Sequence, residues 1–175
     1  MRRGTIALIL IVLAGSAWAE APSIVARFPG AETRALDPTG RYAVVWVAAD
    51  QTRQGAHHEL LLEEVASGRT RPLRAFERWA IVLWAPNGSR LAVTAGVGSD
   101  RSEVWVYIAD EPAVPVDAWQ VLEVQSKGGL GFAAGADHRF VEAVRWRDEA
   151  TLVVRIWGYG GPKPFDRQLD VRLGE

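Results

Sequence analysis

Side chains that could support catalysis are sparse in this sequence. It contains no cysteine, and neither Ser67 nor Ser99 lies in the Gly-x-Ser-x-Gly pattern that exposes a nucleophilic serine on a sharp turn. The adjacent carboxylates of Glu63 and Glu64 are typical of a solvated strand rather than of an acid–base pair. The glycine-rich segment 158–162 lacks the following Lys-Ser/Thr of a phosphate-binding loop. We therefore predict that the protein is not an enzyme and binds no cofactor.

The three histidines, His57, His58 and His138, raise the question of a metal site. Together with Asp100 or Asp137, His57 and His138 offer ligand types that zinc prefers. The sequence has no His-x-His or His-x-x-x-His spacing, however, and adjacent histidines on a strand point to opposite faces. We therefore expect no metal site.

Loop residues are better candidates for contact with another molecule. The segment 96–102 is small, polar and rich in glycine, and it joins two apolar runs, so it could enter a partner's cleft at little steric cost. Two equivalent loops, 50–57 and 158–164, are predicted to lie at the same end of the fold. The candidate partner-binding residues in these three loops are Ser99, Asp100, Arg101, Ser102, His57 and Tyr159.

A repeated pattern of turns and strands positions these loops. The turns Asp-Pro-Thr-Gly at 37–40 and Ala-Pro-Asn-Gly at 85–88 each precede an apolar strand, a polar loop and a second apolar strand. Proline at the second position and glycine at the fourth are typical of type I turns. Pro38 and Pro86 are 48 residues apart, a spacing typical of four-stranded propeller blades. The pattern predicts two units of four strands each.

A third, degenerate unit follows, with strands predicted at 151–157 and 166–173 but none after them. The last strand of the second unit is predicted at 117–124, and an apolar run at 23–28 is left over near the N-terminus. We therefore predict an all-β fold of three four-stranded antiparallel sheets in a propeller-like arrangement. In this arrangement the N-terminal strand closes the last sheet by pairing with residues 169–173.

The N-terminus is typical of an exported protein. Arg2 and Arg3 precede a wholly aliphatic run, and Ala17-Trp18-Ala19 supplies a small-x-small cleavage pattern, so residues 1–19 are predicted to be a signal peptide. Residues 20–175 then form a single domain, with no membrane span after cleavage and a periplasmic location.

The formal net charge of −1 lacks the basic excess typical of nucleic-acid binding, so we expect no nucleic-acid partner.

Two families resemble this chain. The turns, the strand starts at 41–44 and 90–93 and the Ala-Ser-Gly-Arg-Thr hairpin at 66–70 resemble the WD-like propeller repeat of the periplasmic Tol-system translocation protein and related sensors. Short exported proteins built from three propeller-like sheets are also similar to the immunity proteins of type VI secretion peptidoglycan amidases. In that family a serine-rich loop of the middle sheet plugs the toxin's active site, and the matching stretch here is 98–102.

These resemblances imply a non-enzymatic periplasmic module that binds another exported protein. The specific form that they suggest is an immunity-type inhibitor of a cell-wall-degrading hydrolase. The alternative from another class is a small-molecule or glycan-binding module, or a cell-envelope scaffold. It would use exposed aromatic residues, for which Trp119, Trp157 and Tyr159 are the candidates.

Overall fold

A computed structural model describes residues 25–48, 58–112, 114–133 and 135–174 of the chain. Twelve strands, one α-helix and a short 3₁₀ helix lie in these ranges. In chain order they are β1 (Val25–Phe28), β2 (Arg34–Leu36), β3 (Tyr42–Ala48), β4 (His58–Glu64), β5 (Arg69–Phe76), β6 (Ala80–Trp84), β7 (Arg90–Gly96), β8 (Ser102–Ile108), β9 (Val116–Asp117), α1 (Ala118–Gln125), the 3₁₀ helix (Gly129–Ala133), β10 (His138–Trp146), β11 (Thr151–Tyr159) and β12 (Phe165–Arg172).

The strands form three antiparallel sheets. The four-stranded sheet has the order β2-β3-β4-β5, the five-stranded sheet the order β1-β6-β7-β8-β9, and the three-stranded sheet the order β10-β11-β12. The prediction of a mostly β fold with three antiparallel sheets is therefore confirmed. In the described part of the chain none of these sheets is closed on itself.

The predicted pairing of the N-terminal strand is wrong. β1 pairs antiparallel with β6, where Val25 is opposite Leu83 and Phe28 is opposite Ala80, so it extends the five-stranded sheet rather than closing the three-stranded one. The physical reason is burial, because Phe28 is fully buried between the five-stranded and four-stranded sheets. Pairing with β12 would forfeit that contact.

The strand predicted at 117–124 is also wrong, because this segment is mostly the helix α1. The carboxylate of Asp117 accepts a hydrogen bond from the Trp119 backbone N–H at 2.9 Å, which caps the helix N-terminus. Ala118 and Leu122 lie one turn apart on the buried side of the helix. Their shared face packs on the core between the five-stranded and three-stranded sheets.

The five-stranded sheet lies between the other two and is buried on both faces. Side chains that alternate along its strands enter different cores: Leu83 and Ala92 face the three-stranded sheet, whereas Trp84 and Val93 face the four-stranded sheet. Because neither face meets water, β6 and β7 consist almost entirely of apolar residues. Burial on both faces also explains the apolar run of β7, which precedes the loop at 97–101.

Polar side chains tie the sheets together. The Tyr107 hydroxyl donates to the Leu73 carbonyl at 2.9 Å, and burial raises the pKa of Tyr107 to about 12. The Trp146 indole N–H donates to the Leu83 carbonyl at 3.0 Å. Both contacts join the five-stranded sheet to a neighbour, one on each side.

The two predicted turns are confirmed. The Gly40 N–H donates to the Asp37 carbonyl at 3.1 Å, and the Gly88 N–H donates to the Ala85 carbonyl at 2.9 Å. Both glycines have positive φ, 73° and 72°, a conformation that favours glycine.

None of the described helices is long and apolar enough to cross a membrane.

Candidate functional site

The loop at 97–101 joins β7 to β8 and is held mainly through its backbone. The Val97 N–H donates to the Arg101 carbonyl at 3.1 Å, and the Arg78 guanidinium donates to the Gly98 carbonyl at 3.3 Å. At the base of the loop, the Gly96 N–H donates to the Trp79 carbonyl at 2.9 Å. A Cβ on Gly96 would lie 2.7 Å from the Trp79 indole nitrogen, so this close approach requires glycine.

The three-stranded sheet supports the same loop through the backbone of β10. The Arg139 N–H donates to the Asp100 carbonyl at 2.8 Å, and Arg139 is the bridge partner of Arg101. Further along β10, the Val141 N–H donates to the Ser102 hydroxyl at 2.9 Å, and the Ala143 N–H donates to the Thr94 hydroxyl at 3.0 Å. Alternate residues of β10 are therefore fixed to β7, β8 and the loop between them.

The predicted binding residues of this loop separate into two groups. Ser99, Asp100 and Arg101 are exposed. Ser102 is only 3% exposed, and its hydroxyl both donates to the Val141 carbonyl and accepts from the Val141 N–H. The assignment of Ser102 to the binding surface is therefore corrected: it joins two sheets and has no exposed hydroxyl to offer a partner.

Tyr159 lies close to this loop because β10 connects the two. Tyr159 pairs with His138, next to the bridge between Arg101 and Arg139. Its ring stacks on that of His138 with the centroids 4.3 Å apart, and the residue is 50% exposed. We call the exposed residues Ser99, Asp100, Arg101 and Tyr159 the loop surface. The sixth predicted residue, His57, lies outside the described residues.

A cleft that the sequence did not indicate adjoins the loop surface. One part, with a volume of about 70 Å³, has Arg101, Trp119 and Arg139 in its lining, together with the carboxylates of Glu103 and Asp117. A second part of about 370 Å³ shares Trp119 and Arg139 and is also lined by Glu123, Leu130 and Ala133. The guanidinium carbon of Arg139 lies 4.3 Å from the Trp119 ring centroid, a cation–π arrangement. We call these two neighbouring parts, which share Trp119 and Arg139, the Arg–Trp cleft.

The sequence indicates Trp119 only as a candidate stacking surface for sugars and gives no indication of a role for Arg139. Nothing in the local sequence around Arg139 distinguishes it from other strand arginines. Its position opposite Arg101 depends on the register between β8 and β10, strands that are separated by a helix and a glycine-rich segment.

The carboxylates near the Arg–Trp cleft already have partners. Glu103 accepts from the Arg74 guanidinium and from the Trp105 indole, at 2.6 and 3.1 Å, while its ion pair with Arg101 is longer, at 3.6 Å. Arg74 also stacks over the Trp105 ring at 4.4 Å. These contacts make Glu103 primarily the partner of Arg74.

The two histidines that the structure describes, His58 and His138, pack against aromatic rings. His58 lies between Trp46 and Phe76, with ring centroids 5.6 and 5.1 Å away. His138 stacks on Tyr159. Within the described ranges no group of three or more His, Cys, Asp or Glu side chains is placed to hold a metal ion.

The face of the three-stranded sheet that is turned away from the core carries an aromatic row. Phe140 stacks on Trp157 with centroids 5.1 Å apart, beside the stacked pair of His138 and Tyr159. The guanidinium of Arg155 lies over Trp157 at 4.9 Å.

Searches for similar proteins found no matching family model and no matching curated sequence.

Proposed function

We propose that this chain is a non-enzymatic module that binds another exported protein through the loop surface. The observation that carries the proposal is a loop whose backbone is fixed while its side chains are exposed. Hydrogen bonds from Arg78 and from the Arg139 backbone hold the loop at Gly98 and Asp100, and a bond between Val97 and Arg101 closes it. The side chains of residues 99–101 remain exposed. A loop ordered before association loses less conformational entropy when it binds.

The specific form of the proposal is an immunity-type inhibitor of a cell-wall-degrading hydrolase in the periplasm. The resemblance of 98–102 to a loop that plugs a toxin's active site supports this form, as does the signal-like pattern at 1–19. A narrow loop with small and polar side chains suits insertion into a hydrolase cleft, where its hydroxyl and carboxylate can accept hydrogen bonds. The propeller-like arrangement of the sheets belongs to the same proposal and rests on the repeat of turns at 37–40 and 85–88.

The test removes the exposed side chains and leaves the support of the loop unchanged. The triple variant Ser99→Ala, Asp100→Ala, Arg101→Ala should lose the captured hydrolase in pull-downs from periplasmic extract, because central interface contacts contribute about 2 kcal/mol or more. Its free energy of unfolding should stay within about 0.5 kcal/mol per substitution of the wild type, because the side chains are exposed.

The matched control is Asp110→Ala, Glu111→Ala, which removes two exposed side chains beyond the opposite end of β8. This variant should retain the partner. Capture of the same proteins by the triple variant and the wild type would contradict the assignment of the loop surface.

A glycan-binding module is the second candidate, and the aromatic row on the three-stranded sheet favours it. Tyr159 is 50% exposed, and Phe140 and Trp157 are half-buried beside it, so sugar rings could stack there. A parallel pull-down, in which insoluble peptidoglycan captures the purified chain, separates the two candidates. Retention on peptidoglycan by both the wild type and the triple variant, with no captured protein, would support the glycan-binding function.

A further inference from the structure

We propose that the Arg–Trp cleft binds a carboxylate of the protein partner, contributed by an acidic residue that lies next to an apolar one in an exposed segment. This inference rests on the proposed function and names the chemistry of the segment that the loop surface meets. Arg101 and Arg139 would hold the carboxylate, and the wall of the cleft beyond Trp119 would hold the apolar neighbour.

The backbone brings Arg101 and Arg139 next to each other at the cleft. Arg101 and Arg139 are bridge partners, and the hydrogen bond from the Arg139 N–H to the Asp100 carbonyl, 2.8 Å long, fixes their spacing. Both side chains line the part of the cleft that has a volume of about 70 Å³. Neighbouring like charges repel each other, so this arrangement costs stability in the free protein.

The acidic groups that line the cleft neutralise this pair only in part, because each of them has another principal partner. Glu103 is engaged by Arg74 at 2.6 Å and reaches Arg101 only at 3.6 Å. The Asp117 carboxylate caps α1, and the Glu123 carboxylate accepts from the Trp119 indole at 2.6 Å. Among the ion pairs of the described residues, none includes Arg139.

Arginine chemistry suits a carboxylate ligand. The planar guanidinium presents donors in a fork that matches two carboxylate oxygens, and stacking on an aromatic ring orients this fork before the ligand arrives. Arg139 is half-buried and stacks on Trp119 at 4.3 Å. A bound carboxylate would offset the repulsion between Arg101 and Arg139, so part of the affinity would come from relief of that repulsion.

The continuation of the cleft favours a peptide over a small anion. Its larger part, about 370 Å³, extends from the arginine and tryptophan to Leu130 and Ala133, which supply apolar surface that phosphate or acetate cannot use. An acidic residue followed by an apolar one fills both parts. Arg101 belongs both to the loop surface and to the lining of the cleft, so a partner that covers the loop also reaches the cleft.

The test uses NMR spectra of the ¹⁵N-labelled chain and a capped hexapeptide of alternating Glu and Leu. The peptide should shift the Trp119 indole N–H and the Arg139 side-chain N–H signals, and 0.5 M salt should weaken its binding. Arg139→Gln should raise the Kd about tenfold to a hundredfold, because a charge-assisted contact is lost. Arg139→Lys keeps the charge but loses the forked geometry, so its Kd should lie between those of the wild type and Arg139→Gln. This second variant keeps the test decisive if Arg139→Gln folds poorly.

Three controls complete the design. Arg41→Gln removes an exposed arginine that stacks on Tyr42 at 5.3 Å, outside the cleft, and should leave the Kd unchanged. A peptide of alternating Gln and Leu should not shift the two signals. Inorganic phosphate at the peptide's concentration should shift them much less, and equal shifts would overturn the peptide inference in favour of a small-anion site.

Failure of this inference is distinguishable from failure of the proposed function. If the acidic peptide leaves the Trp119 and Arg139 signals unmoved, the carboxylate site is refuted, even where the triple loop variant loses its captured protein. If the peptide binds but Arg139→Gln captures the partner as well as the wild type does, the cleft does not receive the partner's carboxylate, and the inference is overturned.

Discussion

Ser99 and Ser102 stand three residues apart in the same loop segment but have different roles. Ser99 is exposed, whereas Ser102 begins β8 and contacts β10 through both hydrogen-bonding capacities of its hydroxyl. The sequence alone predicts the same binding role for both serines, because both follow the glycine-rich stretch. Their separation follows from the turn of the chain into β8, where the Ser102 side chain meets the Val141 backbone.

The exchange of each serine for alanine should therefore affect stability differently. Ser102→Ala leaves the Val141 N–H and carbonyl without their partner in a buried position, so the free energy of unfolding should fall by about 1–3 kcal/mol. Ser99→Ala is the matched control and should change it by less than about 0.5 kcal/mol. Urea unfolding followed by tryptophan fluorescence measures both, and equal effects would contradict the role assigned to Ser102.

The sequence predicted part of the candidate site. Exposure of residues 99–101 follows from the small and polar composition of the loop. The equivalence of the loops predicts Tyr159 at the same end of the fold, but in the structure its position near the loop depends on β10. Arg139 could not be predicted, because its place beside Arg101 depends on contact between strands far apart in the chain. The burial of Ser102 depends on the same contact.

Among the elements, β1 departs most clearly from the prediction. A strand of four residues can satisfy its backbone on several sheet edges, so the apolar pattern at 23–28 does not select one of them. The selection comes from Phe28, which enters the core beside Val82 and Phe76, and this core exists only after the two larger sheets have packed together. The helix α1 was missed for a similar reason, because its short apolar pattern fits a strand or a helix.

Phe28 should accordingly carry most of the stabilising effect of β1. Phe28→Ala removes a fully buried ring and should lower the free energy of unfolding by about 3–5 kcal/mol. Val25→Ala, in the same strand but at a residue that is 61% exposed, should cost less than about 1 kcal/mol. Chemical denaturation followed by circular dichroism provides the comparison. Similar losses for the two variants would show that β1 contributes through its backbone alone.

On the scale of the whole molecule, two cores share one sheet. The five-stranded sheet contributes side chains to both cores and separates the two outer sheets. Each outer sheet therefore buries its apolar face against the five-stranded sheet rather than against the other outer sheet. The number of sheets could be predicted from the repeat of turns and strands. Their unequal sizes could not, because they follow from the placement of β1, which adds a strand to the middle sheet and leaves the last sheet with three.

This shared sheet predicts that the domain unfolds as one cooperative unit. Leu60→Ala opens a cavity in one core and Ile156→Ala in the other, and both residues are fully buried. Each should lower the free energy of unfolding of the whole domain by about 2–5 kcal/mol.

Far-UV circular dichroism and tryptophan fluorescence should then report coincident unfolding transitions for each variant, as for the wild type. Two separated transitions in either variant would show that an outer sheet unfolds independently.

The contacts along β10 and β12 also have a consequence for self-association. Unpaired strand edges expose backbone groups that can recruit another chain and begin aggregation. On β10, the N–H groups of Arg139, Val141 and Ala143 all donate to the neighbouring sheet, and on β12 the Gln125 side chain bonds both backbone groups of Arg172. Side chains and a loop carbonyl thus occupy backbone groups along β10 and at the end of β12, which disfavours the pairing of a foreign strand at these positions.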